Sequence, residues 1–280
     1  MSKKIICIVL YSLFLFHTNN SMDSIDKKDI IVDLMNFLIE PNHLQAAREF
    51  GLINSLSILT SWINSKIGFA ERTPEELLPD FFSLLQQIDN RIPPMSIQWE
   101  GHPAPYILYQ SLIGECTNTE ILSSIKEEIK QRTPKNSELF VKCAEIIFDP
   151  KKNTQIMQII PASLMLLRQL KTEGYTIHIL ANWNHEAFQE LQKQFRSLFE
   201  EINGSINLSG KFKIIKCVSM YKNFFSKRNI DPQKTITIET EENRIKELKT
   251  AYPMLTTLLC KNKNLSQLTI DLQHLKVLSK

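Results

Sequence analysis

The chain is 280 residues long, 43% hydrophobic and 22% charged, with 33 basic against 30 acidic residues and a formal charge of +3. That balance, spread along the chain, argues against a nucleic-acid binder, whose basic residues would cluster on one face. Its 7 glycines, at positions 51, 68, 101, 114, 174, 204 and 210, fit no Gly-x-Gly-x-x-Gly or P-loop pattern, which excludes dinucleotides and nucleotides cradled by such loops.

At the N-terminus, Lys3 and Lys4 precede an apolar run over residues 5–16, which breaks into polar residues at 17–21. A positive start and a short apolar stretch are features of an export signal, and the run is well below the ~20 residues of a spanning helix. Residues 1–21 are therefore expected to be a signal peptide, with a secreted or periplasmic mature chain and no stable membrane span. An uncleaved anchor or a buried first strand is the alternative. Cys116, Cys143, Cys217 and Cys260 follow with no Cys-x-x-Cys spacing, so buried apolar thiols are expected, and the six histidines form no zinc pattern.

Residues 29–38, DIIVDLMNFL, form an apolar and partly β-branched run suited to a strand buried on both faces. From 44 to about 159 the apolar spacing becomes helical, over 44–50, 54–67, 74–88, 104–113 and 120–129. Punctuation at Thr73-Pro74, Pro93-Pro94 and Pro103 separates the pieces. This stretch reads as an all-helical insert.

From Pro161 the pattern alternates. Helices are expected over 162–173, 183–199, 218–228, 242–251 and 265–277, and strands over 175–181, 206–209, 235–239 and 255–260. Alternation of this kind implies right-handed crossovers and a doubly wound parallel α/β sheet. Ligands of such sheets sit at the carboxyl ends of the strands, where the sequence places Asp33, Met35, Ala181, Asn182, Lys216, Glu239 and Thr240. A strand-end Asp beside a Lys is the arrangement of a carboxylate nucleophile. The Lys keeps the acid ionised and neutralises charge on the substrate.

In that order the pieces resemble the haloacid dehalogenase (HAD) superfamily. IIVDLMNFL (30–38) is similar to its first motif, LKTEGYTIHILANWNHEAFQELQKQF (170–195) to its second, INLSGKFKIIKC (206–217) to its third and DPQKTITIETEENRI (231–245) to its fourth. The resemblance implies a HAD-like core over 29–43 and 160–280, with a cap over 44–159 inserted after the first strand. It also implies Asp33 and Lys216 as catalytic residues, Asn182 and Trp183 as substrate contacts, and Asp33 with Glu239 as ligands for Mg2+. The substrate would be a small phosphate or carboxylate.

The pattern also departs from the family's. The acid–base Asp expected two residues after the nucleophile is Met35, which has no proton to give. The second-motif hydroxyl residue is Ala181, and the fourth-motif Asp pair is Glu239-Thr240. Two readings stay open: a hydrolase acting through Asp33 but impaired or inactive, and a non-catalytic pseudoenzyme whose pocket binds a ligand or protein partner. Simpler roles exist for each residue as well. Asn182 can cap the next helix, Lys216 can lie on a lysine-rich surface, and Glu239 can start a solvated acidic helix.

Overall fold

The computed structural model describes residues 29–49, 74–93, 98–99, 102–132, 137–261 and 264–278. The expected signal peptide and the expected helix over 54–67 lie outside them. No helix among the described residues is long and apolar enough to cross a membrane.

A five-stranded parallel sheet forms the centre. Its strands are β1 (Asp29–Val32), β6 (Thr176–Ala181), β7 (Ile206–Leu208), β8 (Thr235–Glu239) and β9 (Thr256–Leu259), in spatial order β7-β6-β1-β8-β9. The chain builds leftwards from β1 through β6 to β7, then crosses to β8 and β9. The order therefore reverses beside β1, the position at which open sheets of this kind leave a crevice.

Side-chain alternation explains why β1 sits centrally. Ile30 and Val32 point into one apolar layer with Ile177, Ile179, Ile236 and Ile238, while Ile31 points into the other with Leu180, Met220, Phe224 and Leu248. All three β1 residues are fully buried, as expected of a strand covered on both faces. The first layer is closed by α7 (Pro161–Thr172), α8 (His185–Gln194) and α13 (Leu265–His274). The second is closed by α11 (Val218–Arg228) and α12 (Glu242–Ala251). Short helices α9 (Arg196–Phe199) and α10 (Ser209–Phe212) bracket β7. The sheet is doubly wound.

The first strand is shorter than the apolar run 29–38 suggested. It stops at Val32, and a turn follows in which Leu38 and Ile39 both donate to the Leu34 carbonyl. Asn36 takes the left-handed conformation there, at φ 61°, which Asn tolerates better than most residues. Apolar composition signalled burial at this point, and burial is common to strand and turn.

Past the turn, β2 (Ile39–Pro41) pairs antiparallel with β5 (Met157–Ile159), so a two-stranded ribbon closes the base of the insert. Between them lie α1 (His43–Glu49), α2 (Pro74–Ile88), the short antiparallel pair β3 (Gln98–Trp99) and β4 (His102–Pro103), α3 (Tyr106–Ile113), α4 (Asn118–Arg132), α5 (Ser137–Phe148) and α6 (Pro150–Gln155). The cap is thus helical in bulk but not all-helical. It has an apolar core of its own, including Phe81, Leu85, Ile107, Ile125, Phe140 and Phe148. All four described cysteines are free, Cys217 and Cys260 buried and Cys116 and Cys143 half-buried.

Candidate active site

The β1 register places Val32 beside Ile179 of β6 and Ile238 of β8. Asp33 therefore leaves the sheet at its reversal point, one residue beyond β1 and next to the end of β8. Its amide donates to the Ile238 carbonyl at 3.3 Å. Its Oδ1 accepts from the Leu34 amide at 2.9 Å, and its Oδ2 from the Thr240 hydroxyl at 3.1 Å.

Lys216 arrives from the loop before α11. Its Nζ stands 3.2 Å from Asp33 Oδ1 and 2.9 Å from Glu239 Oε1. The ammonium is buried, with a side-chain exposure of 4%, against 14% for Asp33 and 1% for Glu239. A surface position for Lys216 is excluded. Glu239, the last residue of β8, is equally far from a solvated helix start. It lies on the α11 side of the sheet, where the Tyr221 hydroxyl donates to Oε1 and Lys216 Nζ donates to Oε2 at 3.0 Å.

One ammonium thus serves two carboxylates in a largely buried site. Burial alone would lower the Lys216 pKa, but Asp33 and Glu239 outweigh it and hold the lysine above its usual value. Burial pushes Glu239 up, and Lys216 offsets this only in part. Tyr221 is pushed well above the ordinary phenol range by burial and by the Glu239 charge, so it is a neutral donor.

Asn182 stands on the adjoining loop after β6. Its Oδ1 accepts from the Lys216 amide at 2.5 Å, so it holds the lysine's backbone. It does not cap the next helix. Asn184 does so, with its Oδ1 accepting from the Glu186 and Ala187 amides. Trp183 is buried, its amide donating to the Ser209 hydroxyl at 3.0 Å, while its indole Nε1 has no partner among the described residues. Ala181, 1% exposed, offers only a methyl group, and Met35 is partly buried against the main core.

Of the two expected magnesium ligands, Glu239 has its oxygens engaged by Lys216 and Tyr221, while Asp33 Oδ2 faces only the Thr240 hydroxyl among the described residues. Magnesium is usually held by one or two carboxylates, with water or substrate completing its shell. Among the described residues no group of three or more His, Cys, Asp or Glu is arranged to hold a metal.

Tyr221 is the contributor the sequence reading missed. Tyr221 carries a faint signal, as the one hydroxyl on the buried Met220, Tyr221, Phe224, Phe225 face of α11. Thr240 stands among the strand-end residues read from the sequence, which assigned no role to its hydroxyl.

No family model matches the chain, and no curated protein sequence matches it. Solved structures do. It is similar to a HAD family enzyme, bt-2542 from Bacteroides thetaiotaomicron, at 20% identity and TM-score 0.54, over 87% of this chain and 98% of that one. The same enzyme in complex with magnesium and inorganic phosphate aligns at 18% identity and TM-score 0.50, over 83% and 93%. YfnB from Bacillus subtilis, solved bound to magnesium, aligns at 13% identity and TM-score 0.50, over 88% and 99%. The chain therefore has the fold of these HAD proteins, a doubly wound parallel core with an inserted helical cap, and Asp33 and Lys216 meet at the reversal point of that core's sheet.

Proposed function

We propose that the protein is a HAD-type hydrolase, degenerate in several motifs, that acts on a small phosphate- or carboxylate-bearing molecule through Asp33. The observation that carries this reading is Lys216 Nζ at 3.2 Å from Asp33 Oδ1, at the carboxyl end of the sheet. Asp33 displaces the leaving group from the substrate's phosphorus or carbon, giving an aspartyl phosphate or an aspartyl ester, and water then cleaves that bond to release the product and restore the carboxylate. Lys216 holds the carboxylate ionised and meets charge that develops on the substrate. No step runs through a metal.

The departures set the expected rate and leaving group. Met35 cannot protonate a leaving alcohol, a loss typically of about 10²–10⁴ in rate. Ala181 supplies no hydroxyl to a substrate oxygen, a loss of about 10²–10³. Leaving groups that depart as stable anions, such as halide, need no proton and suit the site better. Asn182 serves substrate indirectly, by fixing Lys216. Trp183, whose indole N–H has no partner among the described residues, is a candidate substrate contact.

A screen of phosphate esters and haloacids at high protein concentration, with and without magnesium, tests the reading beside Asp33→Asn. Slow turnover that vanishes in the variant is the expected result. Two missing groups, at Met35 and Ala181, favour a second reading in which the same pocket binds without turnover. Its signature is a wild-type chain with no turnover but a ligand-induced thermal shift that Asp33→Asn removes. In either case the working units are a core over 29–43 and 160–280 and a cap over 44–159, in an exported chain whose mature form begins near Met22.

A further inference from the structure

We infer that Ser209 is a positioning residue that couples docking of the cap to placement of Lys216 beside Asp33; the inference rests on the Asp33–Lys216 reading above. Ser209 is fully buried at the start of α10, just after β7, and its hydroxyl is used twice. It donates to the Leu112 carbonyl in the last turn of cap helix α3 at 2.7 Å, and it accepts from the Trp183 amide at 3.0 Å. One residue before Trp183, Asn182 Oδ1 accepts from the Lys216 amide at 2.5 Å, and Lys216 Nζ reaches Asp33 at 3.2 Å. Hydrogen bonds and one peptide link therefore connect the cap to the candidate nucleophile.

The docking itself is built for close approach. At the end of α3 the Ser111 carbonyl already accepts from the capping Gly114 amide at 3.0 Å, and three core side chains add donors to this turn. Asn184 Nδ2 donates to Ser111 at 2.8 Å, Ser209 donates to Leu112, and Lys213 Nζ donates to Gly114. From the cap side, the Asn118 amide donates to Glu186 Oε2 at 3.3 Å. Two of the chain's 7 glycines face each other here. A methyl group on Gly114 would stand 3.1 Å from the Gly210 carbonyl, and one on Gly210 would stand 3.1 Å from the Trp183 carbonyl. Gly114 also holds φ 64°, the left-handed conformation that ends α3.

Hydrogen exchange on the full chain tests the coupling without requiring turnover. In Ser209→Ala, faster exchange at the Trp183 amide is expected from the lost acceptor alone. The inference requires more: exchange at the Lys216 amide and at the Gly114 and Glu115 amides should also rise, by about tenfold. Ser209→Thr, which keeps the hydroxyl, should restore protection at all of them. Gly114→Ala reaches the junction from the cap side, so it serves if Ser209→Ala does not fold, and it too should speed exchange at Lys216. Where turnover is measurable, Ser209→Ala should lower kcat with KM little changed. A Lys216 amide that stays protected when the cap contacts are broken would overturn the coupling, whatever Asp33→Asn shows about hydrolysis.

Discussion

β1 carries an acid at each end, and the two ends have opposite electrostatics. Beyond the carboxyl end, Asp33 shares the Lys216 ammonium with Glu239, leaving two acids to one permanent cation. At the amino end, Asp29 Oδ1 lies 2.9 Å from His178 Nε2, while His178 Nδ1 lies 3.0 Å from the Ser205 hydroxyl and accepts from the Ser205 amide at 2.9 Å. By residue type the amino end looks the more catalytic, since it holds a Ser, a His and an Asp. Its connections say otherwise. The ring joins β1 and β6 to the approach to β7, and Asn207 Nδ2 donates to the same serine hydroxyl at 3.0 Å. It also lies at the end of a parallel sheet opposite to the one where ligands bind. Types identify candidates; position on the sheet and unbalanced charge separate a reactive end from a stitched one.

Removing the lysine should break the comparison most severely. Lys216→Met leaves the buried Glu239 and the half-buried Asp33 without a cation, and loss of one partner of a buried ion pair costs about 3–5 kcal/mol. A urea midpoint close to wild type would mean that the site is wet and its charges screened. Tyr221→Phe is the gentler version. It removes the hydroxyl that donates to Glu239 and leaves the ring in place, so the cost should be about 1.5–3 kcal/mol, the worth of a hydrogen bond to a charged group. The smaller loss should also leave Lys216 beside Asp33.

The sequence carried the strands of the sheet better than the chemistry at their ends. TITIE over 235–239 and ENRIKELKTA over 242–251 fold over the ranges expected, because β-branched alternation and an acidic helix start act locally. The helix Ser137–Phe148 was not picked out, although its Phe140, Ala144 and Phe148 recur at helical spacing into the cap core. The burial of Lys216 was illegible for a different reason. It sits among Lys211, Lys213 and Lys222, and only the crossing from β7 to β8 carries it under the sheet's edge. Asp33 was legible because the strand before it is short, apolar and central. Met35 and Ala181 are legible as departures from the motif pattern the sequence resembles. The pairing of Glu239 with Tyr221 needed the packing of α11 on β8, which no local signal encodes.

The smallest expected effect sharpens the contrast between the two ends through its sign. Burial lowers the His178 pKa below 6.5 despite Asp29, and the Ser205 amide on Nδ1 requires an unprotonated nitrogen there. As pH falls below 6.5 the unfolded chain binds a proton that the folded ring resists. This contribution to stability is therefore whole above 6.5 and declines down to the depressed folded value, by at most about 1.4 kcal/mol for each pH unit crossed. Glu239 runs the other way. Its pKa is raised from 4.5 by burial, so its contribution is whole below 4.5 and is lost as pH rises through the raised value. Unfolding midpoints measured from pH 8 to pH 5 for the wild type and for His178→Gln separate the two. The wild type should lose stability on acidification below 6.5, and the variant, without the His178 response, should lose less. Parallel curves for the two proteins would mean that His178 is solvated, and that the amino end of β1 is held by contacts other than a neutral ring.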